Sequence, residues 1–108
     1  MANTFTSYVN KDVGTSAATV VTVAGGTQTT VIGMTCANTT AAGVTVDVYI
    51  TRSAVDYYIV KDAAIPSGGT LVPVGGDQKV VLIASDVLKV ISSAATSVDA
   101  VTSVLEIT

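Results

Sequence analysis

The sequence predicts an all-β domain: a single antiparallel β-sandwich of eight to nine strands, either immunoglobulin-like or a small jelly roll. Three observations carry this. Valine, threonine and isoleucine fill 44 of the 108 positions. Branched side chains lose rotamer freedom in helices and pack well on a pleated sheet. Runs of strand length recur roughly every ten residues with turn chemistry between them, and no window of helical period exceeds two turns.

The elements follow in order. Thr4–Val9 alternates, with Phe5, Ser7 and Val9 on one face and Thr4, Thr6 and Tyr8 on the other. Asn10, Lys11, Asp12 and Gly14 break it. A second strand runs over Ala18–Val23 and ends at Gly25-Gly26, where positive φ is free of steric cost. The third, Thr29–Ala37, sets Val31, Gly33 and Thr35 against Ile32, Met34 and Cys36. The fourth has the clearest alternation: Val44, Val46, Val48 and Ile50 on a buried face, Thr45, Asp47, Tyr49 and Thr51 on a wet one. Arg52-Ser53 turns into a hairpin partner over Val55–Val60, with tyrosines partly outward.

Ile65-Pro66-Ser67-Gly68-Gly69 is the strongest turn in the chain, because proline fixes φ and the glycines permit reversal. Pro73 cannot donate to a ladder, so Thr70–Val74 belongs at an edge or a bulge. After Gly75-Gly76-Asp77, the apolar run Lys79–Ile83 reads as a buried strand, followed by Val87–Ser92. The last strand, Val98–Ile107, is expected to bury Val101, Leu105 and Ile107, with Val104 near the other side. We divide the chain into residues 1–14, an N-terminal arm or first strand, and residues 15–108, the sandwich. No internal repeat is read, and the Ser/Ala/Thr echoes at 16–19 and 94–97 count as low complexity.

Composition narrows the function. One cysteine permits no internal disulfide, and without histidine a zinc site has too few ligands. The net charge is −3 with 12% charged residues, and no basic stripe exists to neutralise phosphates, so nucleic-acid binding is not expected. Mean hydropathy is +0.63, yet the longest aliphatic run, Val80–Ala84, is far below the ~20 residues of a membrane span. The N-terminus shows no secretory signal pattern. We expect no membrane partner, no cofactor, no metal and no catalytic residue.

The candidate constellations are structural. Asp99 and Glu106 read as solvated charges on an outer face, since nothing brings them together for acid–base work. Cys36 has no histidine base and reads as a small core hydrophobe. The glycine pairs precede strands instead of helix N-termini, so they read as hairpin turns and not phosphate loops. Asp12, Asp62, Asp77 and Asp86 lie in predicted loops without calcium-loop spacing. Phe5, Tyr8, Tyr49, Tyr57 and Tyr58 are the candidate protein-interface residues; packing at the sandwich rim is an equal alternative for the tyrosines. The outward faces carry hydroxyls where a monomer ordinarily carries lysine and glutamate, as for a sheet covered by partners.

The pattern resembles small virion structural proteins of tailed bacteriophages, decoration or cement-like β-proteins, especially those of cyanophages and marine phages. The resemblance rests on Val31-Ile32-Gly33, Ala37–Thr40, Val44–Val48, Ile65–Gly69, Gly75–Lys79, Ser85–Val90 and Ser103–Ile107, and spans residues 15–108. It implies a capsid decoration protein of the virion, made and assembled in the host cytoplasm. It implies as partners the major capsid protein or other virion proteins, and copies of itself, with trimers favoured. A neck, tail or fibre-associated module is the runner-up, and a carbohydrate-binding attachment module using Tyr49, Tyr57 and Tyr58 is a third reading.

Overall fold

The computed structural model describes residues 2–108. It contains nine strands: β1 (Asn3–Val13), β2 (Ala18–Thr22), β3 (Gln28–Asn38), β4 (Val44–Arg52), β5 (Val55–Ile65), β6 (Thr70–Val74), β7 (Val80–Leu82), β8 (Val87–Ser92) and β9 (Val98–Ile107). All pairings are antiparallel. One sheet has the order β1-β9-β3-β6 with β7 also on β3; the other has the order β2-β8-β4-β5. We call them the A and B sheets. They form the predicted sandwich around Val31, Met34, Val46, Val48, Leu82, Leu88 and Val104, all essentially solvent-free.

Several strand faces differ from the sequence expectation. In β9 the buried set is Val98, Ala100, Thr102 and Val104, while Val101 is 45% exposed and Leu105 and Ile107 are half-buried. Both phases of this strand contain branched apolar residues, so alternation alone does not choose between them; pairing with β3, which aligns Val104 with the buried Val31, does. In β3 a bulge between Val31 and Gly33 shifts the phase, so Val31 joins Met34 and Cys36 in the core. The Lys79–Ile83 run is a three-residue strand, β7, with only Leu82 fully buried and Val81 at 57% exposure. Strand β5 extends to Ile65, past the expected end at Val60. Pro73 does sit on an edge strand, β6.

The topology also reveals a repeat that residue patterns conceal. Exchanging β1 with β5, β2 with β6, β3 with β8 and β4 with β9 converts the A-sheet order into the B-sheet order. Strands β1 and β5 each have 11 residues, and β2 and β6 each have 5. Each long strand carries a Lys-Asp bulge (11 and 12; 61 and 62) whose Asp lies at positive φ, 56° in Asp12 and 51° in Asp62. Each bulge is clamped by an aspartate across the ladder. Asp99 accepts from Lys11 Nζ at 2.9 Å and Asp12 N at 3.0 Å; Asp47 accepts from Lys61 Nζ at 3.1 Å and Asp62 N at 2.7 Å. Gly26 and Gly76, again fifty positions apart, share positive φ. In the β3–β7 ladder the fifty-residue offset exchanges the pair Thr30–Val81 with the pair Val31–Val80, which places the pseudo-twofold axis between these two pairs.

The second half departs from the first at Ala84–Asp86, which splits what is one strand in β3 into β7 and β8. The break is held by Asp86. Its carboxylate accepts from Arg52 Nε at 2.8 Å, Arg52 Nη2 at 2.6 Å and the Ile83 amide at 2.9 Å. The Asp86 side chain is 1% exposed and Arg52 43%. The paired guanidinium, with the Ile83 amide, holds the Asp86 carboxyl below its ordinary value despite burial. A depressed folded-state pKa contributes stability above the ordinary carboxylate value of ~3.9, lost as pH falls through the folded value. Arg52→Met leaves the buried Asp86 carboxylate without its cation and should therefore destabilise the fold at neutral pH. It should also shrink the loss of stability below about pH 4, both read by denaturant unfolding across pH.

Candidate interaction surface

The side chains that meet solvent on the A sheet follow from its register. Paired residues share a face, so Phe5, Leu105, Thr30 and Val81 form one outward row, and Val9, Val101 and Thr35 another. Between them lie Ser7, Ser103 and Gly33. Phe5 is 75% exposed and Val9 73%. No charged side chain stands in these rows; the nearest are Lys11 and Asp99, at one end, paired to each other. An open cleft of about 530 Å³ continues the face at its other end, between Gln28, Ile83 and Ile107.

The outer face of the B sheet is different. Tyr49 lies opposite Lys89 and Tyr58, and Thr51 opposite Asp56. Asp47 and Lys61 form an ion pair there. Hydroxyl and apolar coating is therefore a property of the A sheet, while the B sheet carries the charges of an ordinary solvated face.

The five sequence-predicted interface residues do not converge. Phe5 and Tyr8 lie on β1; Tyr49, Tyr57 and Tyr58 lie on β4 and β5, at the far edge of the other sheet. Phe5 is outward. Tyr8 has the opposite parity, packs against the core and donates its hydroxyl proton to Glu106. Tyr49 is buried, with its ring 5.0 Å from that of Tyr58 at an interplanar angle of 38°. Lys61 Nζ lies 5.1 Å from the Tyr58 ring centre. Tyr57 alone of the tyrosines on β5 points free, beside Ile50 and Arg52. Sequence reasoning missed Val101 and Val81 as surface residues, because it assigned the one to the buried face of the last strand and the other to a buried apolar run.

The remaining polar groups serve the fold. Cys36 is fully buried, and burial pushes its thiol up to about 11. Lys11, followed by the Asp12 amide, lowers the Asp99 carboxyl. Burial raises the Asp47 carboxyl, but the Asp62 amide and Lys61 together bring it below its ordinary value. No group of three His, Cys, Asp or Glu side chains is placed to hold a metal among the described residues.

The hydrogen bond to Glu106 raises the Tyr8 phenol from 10.0 to about 12, with burial and the nearby carboxylate adding to it. The protonated phenol thus stabilises the fold up to about pH 10, and this contribution fades as pH rises towards 12. Burial also raises the Tyr49 phenol, so in an ultraviolet titration Tyr8 and Tyr49 should both ionise late, and Glu106→Gln should move the Tyr8 step to lower pH.

Neither a protein-family model nor a curated protein matches the chain. Solved structures that share its fold include the following two. One comes from Bacillus endospore appendages, described as a family of disulfide-linked pili: TM-score 0.57, 12% identity, covering 99% of this chain and 87% of that one. The other comes from the T13 viral particle of IBDV, with TM-score 0.53 and 12% identity, covering 96% of this chain. The chain spans about a third, 35%, of that viral protein. At such identity the likeness concerns the fold: this β-sandwich is similar to one in a spore pilus and one in a virus particle.

Proposed function

We propose that this chain is a structural building block of a virion, a capsid decoration (cement) protein that binds the outer shell and adds stability through many copies. The observation that carries the reading is the outer face of the A sheet. It presents exposed Phe5, Val9, Val81 and Val101 among hydroxyl side chains. A contiguous uncharged face of this kind marks an interaction surface. The similar folds in a pilus and a virus particle support a role in assembly. The mechanism is mechanical: each copy contributes a modest interface, and simultaneous engagement of a lattice multiplies it. The major capsid protein is the proposed partner, and the virion the proposed location.

The test uses purified particles of the virus that encodes the chain. Quantitative mass spectrometry should find on the order of hundreds of copies per particle, as lattice-wide multivalency requires. A hexameric or dodecameric complement would move the protein to the neck or tail, and absence from the particle would overturn the reading. Val9→Asp together with Val101→Asp should abolish binding to particles stripped of the protein, while circular dichroism stays native, because both side chains face solvent in the free chain.

A further inference from the structure

We propose that two copies of the chain pair through the free edges of their β1 strands, antiparallel and centred on Ser7, fusing their A sheets into one. The inference rests on the assembly reading above and names a surface and a partner for it.

The backbone supplies the first argument. Ala2 and Thr108 exchange hydrogen bonds, Ala2 N to Thr108 O at 3.2 Å and Thr108 N to Ala2 O at 3.0 Å. Bonded and non-bonded pairs alternate in an antiparallel ladder, and the β1–β9 register is unbroken over Asn3–Asn10. Thr4, Thr6 and Tyr8 thus turn their amides towards β9. Asn3, Phe5, Ser7 and Val9 turn theirs to the free edge. Residues Asn3–Ser7 are also solvent-exposed on both faces, so nothing among the described residues covers this edge.

Comparison with the other edges supplies the second. Natural sheets block free edges with charge, proline, bulges or shortness. Strand β2 has five residues and a bulge. Strand β6 has five residues and Pro73. Strand β5 is as long as β1 but carries Asp56 and has two register shifts against β4. Strand β1 has none of these devices before Lys11. The repeat makes the contrast an internal control. Aligned by register from the matching bulges, Asp56 opposite Thr51 corresponds to Ser7 opposite Ser103, so the half with the matching strand carries the guard and β1 lacks it.

Self-complementarity identifies the occupant. A twofold axis at Ser7 keeps outward faces together and pairs Phe5 with Val9 of the second copy, twice. An aromatic beside a branched residue is a favourable cross-strand pair. Ser7 meets Ser7, Thr6 meets Tyr8, and Lys11, already bound to Asp99, meets Asn3, so no like charges face each other. The paired copies present one continuous apolar and hydroxyl surface, twice the width, to a shell.

Sedimentation and light scattering of the purified full chain should give twice the 10.8 kDa chain mass. Ser7→Lys places two ammonium groups opposite each other at the axis. It should raise the dissociation constant at least about tenfold with an unchanged circular dichroism spectrum. Tyr57→Lys, fifty positions on, should leave the pair intact. Ser7→Cys should form an intermolecular disulfide on mild oxidation, whereas Phe5→Cys, offset along the strand from its own copy, should not. A monomeric or trimeric wild type, a Ser7→Lys chain that still pairs, or Phe5→Cys cross-linking better than Ser7→Cys overturns the proposal. A monomer that still coats particles sinks this inference alone; a pair that ignores particles sinks the decoration reading alone.

Discussion

Hydrogen-bond satisfaction at strand edges is the constraint around which this molecule is arranged. An open sandwich buries its side chains between two sheets but leaves rows of amides and carbonyls at the outermost strands. Here three edges are made short, bulged, charged or proline-bearing, and one is left regular. The uncharged outer face of the A sheet adjoins that same strand. Edge and face together form a single surface.

The duplicated architecture shows such asymmetry between halves of matching strand order. Both halves keep the Lys-Asp bulge and its aspartate clamp, because a non-glycine residue at positive φ needs local hydrogen bonds to hold it. They keep the turn glycines at Gly26 and Gly76 for a related reason, since positive φ is free of cost only without a Cβ. They diverge where the backbone imposes nothing. In the ladder, Ser7 stands where the other half has Asp56. The long strand β3 is split in the second half and pinned by the buried Asp86 with Arg52. Divergence at the surface changed what each edge can meet, and the core did not have to follow.

Polar groups in this chain are used to fix geometry. Asp86, Asp47 and Asp99 each bind at least one backbone amide as well as a cation. Glu106 anchors the Tyr8 hydroxyl across the open end of the sandwich. These are the carboxylates that a search for acid–base pairs would inspect, and each is committed to a bulge, a strand break or a ring.

Much of the fold was legible in the residues. The density of branched side chains, the turn at Pro66–Gly69, the clean alternation of Val44, Val46 and Val48 and the edge position of Pro73 reflect local steric rules, which act within a few residues. What tertiary structure decided were the faces of strands whose two phases are both apolar, as in β9, and the phase of β3 beyond its bulge. Those depend on register against a neighbour distant in sequence. The repeat was hidden because one strand in the first half became two in the second, and the interface candidates scattered because tyrosine identity says nothing of parity. Local chemistry therefore specified that there would be strands and where they would turn; only long-range pairing settled which side of each strand meets water and which edge remains open.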